Sequence, residues 1–180
     1  RIAIAPIAFV AIFSIVLRTS VDLSSDIDSA TSMTSTVEGP FGSQLIANGY
    51  VLNNELTDFT FAPEKDGAPV ANRVEPGKRP LSSMSPTIVY GPDGKPVFAA
   101  GAAGGKTIIM QVAKILIAHL DWGLSAQEAI AAPNIYFAGD AVLVEPGTAL
   151  AAMQSQLAGF GHTVVTGRIE RGTHERARGH

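Results

Sequence analysis

Two stretches hold the residues best suited to chemistry: Lys78-Arg79-Pro80-Leu81-Ser82-Ser83-Met84-Ser85-Pro86-Thr87 and Gly101-Ala102-Ala103-Gly104-Gly105. The first sets two adjacent hydroxyls between prolines that forbid helix, on a segment opening with two cations. The second is a glycine-rich turn between an apolar strand pattern and an amphipathic helix pattern. Hydroxyls, open backbone N–H groups and local positive charge suit a carboxylate and a developing oxyanion. Such a combination predicts a small-molecule site. A third stretch, Asn53-Asn54-Glu55-Leu56-Thr57-Asp58-Phe59, offers two carboxylates three residues apart beside two amides, a setting for an ammonium group or simply a polar loop.

The elements that must position these residues follow from pattern. Ser32 to Val37 alternates polar and apolar residues and reads as a strand, followed by a turn at Gly39-Pro40-Phe41-Gly42-Ser43. Gln44 to Leu52 reads as extended, and Asn53 to Val74, rich in Pro and Asp, as a surface loop. Thr87 to Tyr90 and Pro96 to Ala100 flank Gly91-Pro92-Asp93-Gly94, a hairpin signal. Lys106 to Leu120 places Ile108, Ile109, Val112, Ile115, Leu116 and Leu120 on one helical stripe. His119 falls on the apolar side and reads as a packed core histidine. Ser125-Ala126-Gln127-Glu128 is a capping box for a short helix that Pro133 ends. Thr148 caps a third helix stopping near Gly159, and His162 to Thr166 is a final strand. The order predicts a layered α+β domain with a largely antiparallel sheet.

Composition bounds the function classes. With 46% hydrophobic and 16% charged residues, the 180-residue chain has the makings of one folded domain rather than a disordered one. A net charge of −3 gives no reason to expect nucleic acid as a partner. No cysteine is present, so disulfides and thiolate ligands are excluded, and the four histidines lack ligand spacing. No metal or other cofactor is expected. Residues 1–17 form an apolar segment bracketed by Arg1 and Arg18. It is short of the roughly twenty residues of a membrane span, so membrane association is not expected beyond this segment, which resembles an export or anchor signal or a buried strand. Residues 18–167 form the expected domain, and 168–180, carrying Arg168, Arg171, Arg176 and Arg178, a solvated basic tail. A start at Arg1 rather than Met is read as a piece of something longer.

Gly105-Lys106-Thr107 also ends a phosphate-loop-like run, but that pattern needs a glycine where Ala100 stands, and no aspartate ends a second apolar strand to hold magnesium. A glycine turn serving close packing is the plainer alternative.

In combination, five motifs in order resemble the small, C-terminal subunit of the γ-glutamyltranspeptidases, which are N-terminal-nucleophile hydrolases. They are Thr34-Ser35-Thr36-Val37-Glu38-Gly39-Pro40-Phe41-Gly42-Ser43, Leu52 to Phe59, Gly77 to Pro86, Gly101 to Gly105, and Asp121-Trp122-Gly123-Leu124. The resemblance runs from Ser32 to Val165. It implies an αββα sandwich, incomplete at both ends here, and a precursor cut autoproteolytically into two subunits. It also implies γ-glutamyl transfer or hydrolysis of glutathione-like compounds through a threonine acyl-enzyme. Asp58 would bind the substrate's α-ammonium with Glu55 beside it, and Ser82 and Ser83 its α-carboxylate. Gly104 and Gly105 would form the oxyanion hole, and Thr36 would support the nucleophile. Glu38 stands where many members carry Asn and would also contact substrate.

The family's small subunit opens with Thr-Thr-His or Thr-Ser-His, whose first Thr is the nucleophile. Counting back from Thr36 without gaps puts that Thr on Arg18 and the second on Thr19, whereas a two-residue deletion puts the nucleophile on Ser20. Thr19 is the only threonine nearby and is named as the candidate, with Ser20 left open. The family's Gly-Ala-Asp-Pro-Arg type motif is absent after Val165. The implied partners are a large subunit from the same precursor and a γ-glutamyl small molecule. Without that subunit, and its arginine for the substrate carboxylate, the chain alone is expected to be inactive. An inactive, degraded relative or partner-binding fragment is the alternative. Bacterial members are commonly exported, which implies a periplasmic or extracellular location.

Overall fold

A computed structural model describes the backbone of strand β1, Arg18–Asp22, and residues 31–167. The apolar segment 1–17 and the basic tail 168–180 lie outside the described residues.

Strand β2 (Thr31–Ser35) pairs antiparallel with β1, with Thr19 opposite Thr34. The expected extended run Gln44–Leu52 is instead a tight hairpin, β3 (Ile46–Ala47) and β4 (Tyr50–Val51). Its turn is Asn48-Gly49, with φ of 50° and 80°, the left-handed pair that two-residue hairpins require. The expected loop Asn53–Val74 likewise holds structure. A 3-10 turn at Glu55–Asp58 is followed by the small hairpin β5 (Glu64–Lys65) and β6 (Ala68–Pro69), turning at Asp66-Gly67.

β7 (Thr87–Tyr90) and β8 (Pro96–Ala100) form the predicted antiparallel hairpin, with Thr87 opposite Ala100. A 3-10 turn, Gly105–Thr107, leads into α1 (Ile108–Leu120). α2 (Ala126–Ala131) opens with the predicted capping box: Ser125 Oγ accepts from Glu128 N, and Glu128 Oε2 accepts from Ser125 N at 2.9 Å. β9 (Ile135–Phe137) and β10 (Val142–Val144) are short apolar runs that sequence reading passed over. Thr148 Oγ1 caps as expected, but the third helix breaks at Met153 into α3 (Ala149–Ala152) and α4 (Gln154–Gly159). β11 (Val164–Thr166) pairs parallel with β10, which pairs antiparallel with β9. Among the described residues the strands thus form five small sheets, with all of their pairings but one antiparallel, rather than one continuous sheet.

The core sits between the β7–β8 hairpin and the two helices α1 and α2. Phe98 and Ala100 point inward from β8 at the period-two spacing of a strand. Ile108, Val112, Ile115 and Ala118 meet them from α1, and Ala129 from α2. Ala118 and Ala129 are fully buried, so small side chains let the two helices approach closely. The predicted stripe on α1 is rotated. Ile109 and Leu120 are exposed, and Gln111 and Ala118 take their places inside. His119 is packed as expected, stacked on Phe98 at 4.2 Å with Nδ1 2.7 Å from the Leu124 carbonyl oxygen. Lys114 Nζ donates to the carbonyls of Ala129, Ile130 and Ala132, closing the C-terminus of α2. Met84 and Ala102 also pack on this core, which ties the double serine and the glycine turn to the same cluster.

Candidate active site

The chain leaving β2 turns sharply at Glu38, a non-glycine residue held at φ 67°. Left-handed backbone of this kind persists only where its surroundings over-determine it. Three contacts do so. Glu38 N donates to Thr36 Oγ1 at 2.9 Å, Asn54 Nδ2 donates to Glu38 Oε2, and Gly39 N donates to Asn54 Oδ1 at 2.8 Å. Thr36 Oγ1 accepts there, which leaves its hydroxyl hydrogen to donate elsewhere.

Gly42 locks the same turn onto the chain entering the acidic segment. Ser43 N donates to the Leu52 carbonyl at 2.8 Å, and a Cβ on Gly42, at φ 52°, would stand 2.1 Å from that oxygen. Gly42→Ala is therefore expected to cost more than about 2 kcal/mol, read as a lowered denaturant midpoint.

The 3-10 turn Glu55–Asp58 brings its first and last side chains to one side, since residues three apart eclipse in that geometry. Asn53 Oδ1 accepts from Glu55 N at 3.0 Å, and buried Phe59 fixes the exit. The structure brings Glu38, Glu55 and Asp58 into one electrostatic cluster. Burial pushes the Glu55 carboxyl above its ordinary 4.5, and the Asp58 and Glu38 charges push it further. Burial, then the Glu38 charge, raises Asp58 above 3.8.

Folded carboxyls raised in this way favour the fold below the unfolded values and lose that contribution as pH climbs through the raised ones. Glu55→Gln should accordingly raise the thermal midpoint at neutral pH and leave it little changed below the ordinary carboxyl range. A cation bound among the three would relieve the same repulsion.

The double serine lies on an extended segment. Ser82 Oγ accepts from Met84 N at 3.2 Å, and Ser85 Oγ donates to the Ser83 carbonyl at 3.0 Å. Of the two cations opening it, Lys78 is engaged. Its Nζ lies 2.7 Å from Glu75, which also pairs with Arg73, and it donates to the Ala71 carbonyl. The Lys78 hydrogen bond chiefly, with Arg73 beside it, holds the Glu75 carboxyl below its ordinary value. Arg79 makes no ion pair among the described residues.

Gly104 and Gly105 sit at φ 133° and 56°, conformations that L-side chains rarely adopt. Among the described residues no acceptor takes either N–H. Thr107 N and Oγ1 both donate to the Gly104 carbonyl, at 3.1 and 2.9 Å. Gln111, buried on α1, donates from Nε2 to the Ala103 carbonyl at 2.9 Å and to Thr107 Oγ1 at 2.8 Å. Thr107 is thus bound into the turn rather than presented to a phosphate, and Ala100 is a buried strand residue where a phosphate loop would need glycine. Because Thr87 faces Ala100 across the hairpin, the serine segment and the glycine turn leave its same end. Thr19 lies in β1, where only the backbone is described.

Sequence reasoning missed Asn54 as a hub, Gln111 and Asn72. Asn54 was visible only as one amide of a polar loop.

The family model described as gamma-glutamyltranspeptidase matches residues 19–177. The chain belongs to the γ-glutamyltranspeptidase family. A glutathione hydrolase proenzyme from Bacillus subtilis subsp. natto is 39% identical over 144 residues, covering 78% of this chain and 23% of that protein. This γ-glutamyltranspeptidase-family chain therefore spans about a quarter of the length of that proenzyme. A putative inactive glutathione hydrolase 4 from Arabidopsis thaliana is 39% identical over 114 residues, covering 58% of this chain and 59% of that one. A crystal structure of a γ-glutamyltranspeptidase mutant from Helicobacter pylori superposes with a TM-score of 0.70 at 32% identity, covering 79% of this chain and 81% of that chain. The neighbour shares the mixed helix and strand content. No helix among the described residues is long and apolar enough to cross a membrane.

Proposed function

We propose that this chain carries the glutamyl-binding and oxyanion-stabilising half of an enzyme that transfers or hydrolyses γ-glutamyl groups of glutathione-like compounds. The carrying observation is the convergence of Glu38, Glu55 and Asp58 on one cluster. A γ-glutamyl group bears an ammonium and a carboxylate on one carbon, with the scissile amide at its other end. The carboxylate cluster takes the ammonium, and Ser82 and Ser83, with Arg79 nearby, take the carboxylate. N–H groups of Gly104 and Gly105 stabilise the tetrahedral oxyanion.

The nucleophile is the hydroxyl of Thr19, activated by its own α-amino group once the precursor is cut before it, with Ser20 the alternative. Thr36 donates its hydroxyl hydrogen toward that nucleophile. The amine leaves, a γ-glutamyl ester forms, and water, an amino acid or a peptide accepts the acyl group. The large subunit of the same proenzyme completes the αββα sandwich and the site, and the protein works outside the cytoplasm.

The chain contains neither Thr-Thr-His nor Thr-Ser-His. That favours, as a second reading, an inactive relative that keeps the binding residues. Mass spectrometry of the assembled protein, quenched during turnover of a γ-glutamyl anilide, separates the two. The first reading expects amine release and a γ-glutamyl ester on the peptide holding Thr19 and Ser20. Neither ester nor amine would establish the second.

A further inference from the structure

Asn72 lies between the two substrate-binding segments and is hydrogen-bonded to both. Its Nδ2 donates to the Asp58 carbonyl at 2.7 Å, and its Oδ1 accepts from Leu81 N at 3.0 Å. Its own carbonyl accepts from Thr60 N at 2.9 Å, and Thr60 bridges to Arg73. One side chain thus clamps the end of the acidic turn to the residue before Ser82. We infer that Asn72 is a positioning residue that sets the separation between the ammonium and carboxylate subsites, and with it selectivity for substrates carrying both charges.

This deepens the function proposed above and rests on it. The ammonium and carboxylate of a γ-glutamyl group share one carbon, so their subsites must be held at a fixed, short spacing. A ligand that must reach both subsites at once loses one contact when their separation shifts, which weakens its binding while its scissile end can still sit at the oxyanion turn. A carboxamide suits the task because it carries a donor and an acceptor on one planar fork. An aspartate there keeps the acceptor for Leu81 N but turns an oxygen toward the Asp58 carbonyl. Alanine removes both bonds.

The test compares Asn72→Ala and Asn72→Asp with the unsubstituted protein, assembled with its large subunit, on a γ-glutamyl anilide and on the glutaryl anilide lacking the ammonium. The expected result is a KM for the γ-glutamyl anilide raised about tenfold or more, with kcat held within about threefold. Glutaryl kinetics should stay unchanged, so the preference falls by the same factor. A residue serving folding alone would lower both substrates' rates together, and an unchanged preference would overturn the inference. Amide hydrogen exchange on the chain itself decides the clamp without any catalysis. In Asn72→Ala the Leu81 amide should exchange at least about tenfold faster while the Phe98 amide in the core does not, and equal Leu81 rates would overturn the clamp. An inactive unsubstituted protein with a slow, Asn72-dependent Leu81 amide would instead count against the catalytic reading alone.

Discussion

Asp58→Asn is expected to lower kcat/KM for a γ-glutamyl anilide by about a hundredfold to a thousandfold. Asp58 is half-buried here, and once substrate covers it in the assembled protein, truncating one partner of the charge pair costs on the order of 3–4 kcal/mol, with each 1.4 kcal/mol tenfold. The asparagine keeps the size of the side chain and the main-chain carbonyl that Asn72 Nδ2 reaches, so the turn survives. The charge alone is lost. Glutaryl anilide, with no ammonium to bind, should lose far less. The same substitution removes one of the charges that press on Glu55, so it should raise the thermal midpoint at neutral pH. Lower activity with higher stability is the mark of a group held at a cost to the fold for a ligand's sake. Steady-state kinetics and a melting curve check both halves, and an Asp58→Asn protein of undiminished kcat/KM would remove Asp58 from the site.

Gly104→Ala should act on the other term of the rate. At φ 133° no L-residue is at ease, so the added Cβ reorients the peptides of Gly104 and Gly105. Oxyanion donors act in the transition state rather than the ground state. The loss is therefore expected in kcat, by about 10²–10³-fold, with KM changed only a few-fold. A stability measurement alongside separates this from unfolding, because the turn is tied down at Ala103 by Gln111 and at Gly104 by Thr107. Unchanged kcat in a folded Gly104→Ala protein would show that these N–H groups face no oxyanion.

What could be read in the sequence was local. The Gly91–Gly94 turn and the Ser125–Glu128 capping box each rest on short-range chemistry, and both formed as predicted. Asn48-Gly49 is as plain a hairpin signal, and it splits the expected extended run Gln44–Leu52 into β3 and β4. On α1 the spacing of apolar residues fitted two adjacent stripes, and only packing against β8 selected the one with Gln111 inside and Ile109 outside. β9 and β10 are three residues each, too short to show a period. The candidate site was legible as residue types but not as an arrangement. Asn72 works through partners fourteen residues before it and nine after it, and no spacing rule connects them. The left-handed Glu38 was equally hidden, since glutamate gives no hint of such backbone until Asn54 and Thr36 are seen holding it. Lys78 looked like an anion-binding cation until Glu75 proved to be its partner.

The most direct measurement is kcat/KM of the assembled, unsubstituted protein on three anilides: γ-glutamyl, its α-glutamyl isomer, and glutaryl. A site with a carboxylate cluster for the ammonium, serines for the carboxylate and an oxyanion turn at the far end should prefer the γ-glutamyl compound by at least about a hundredfold over both others. Glutaryl cleavage as fast as γ-glutamyl cleavage would contradict an ammonium-binding role for Glu38, Glu55 and Asp58, and with it the proposed function.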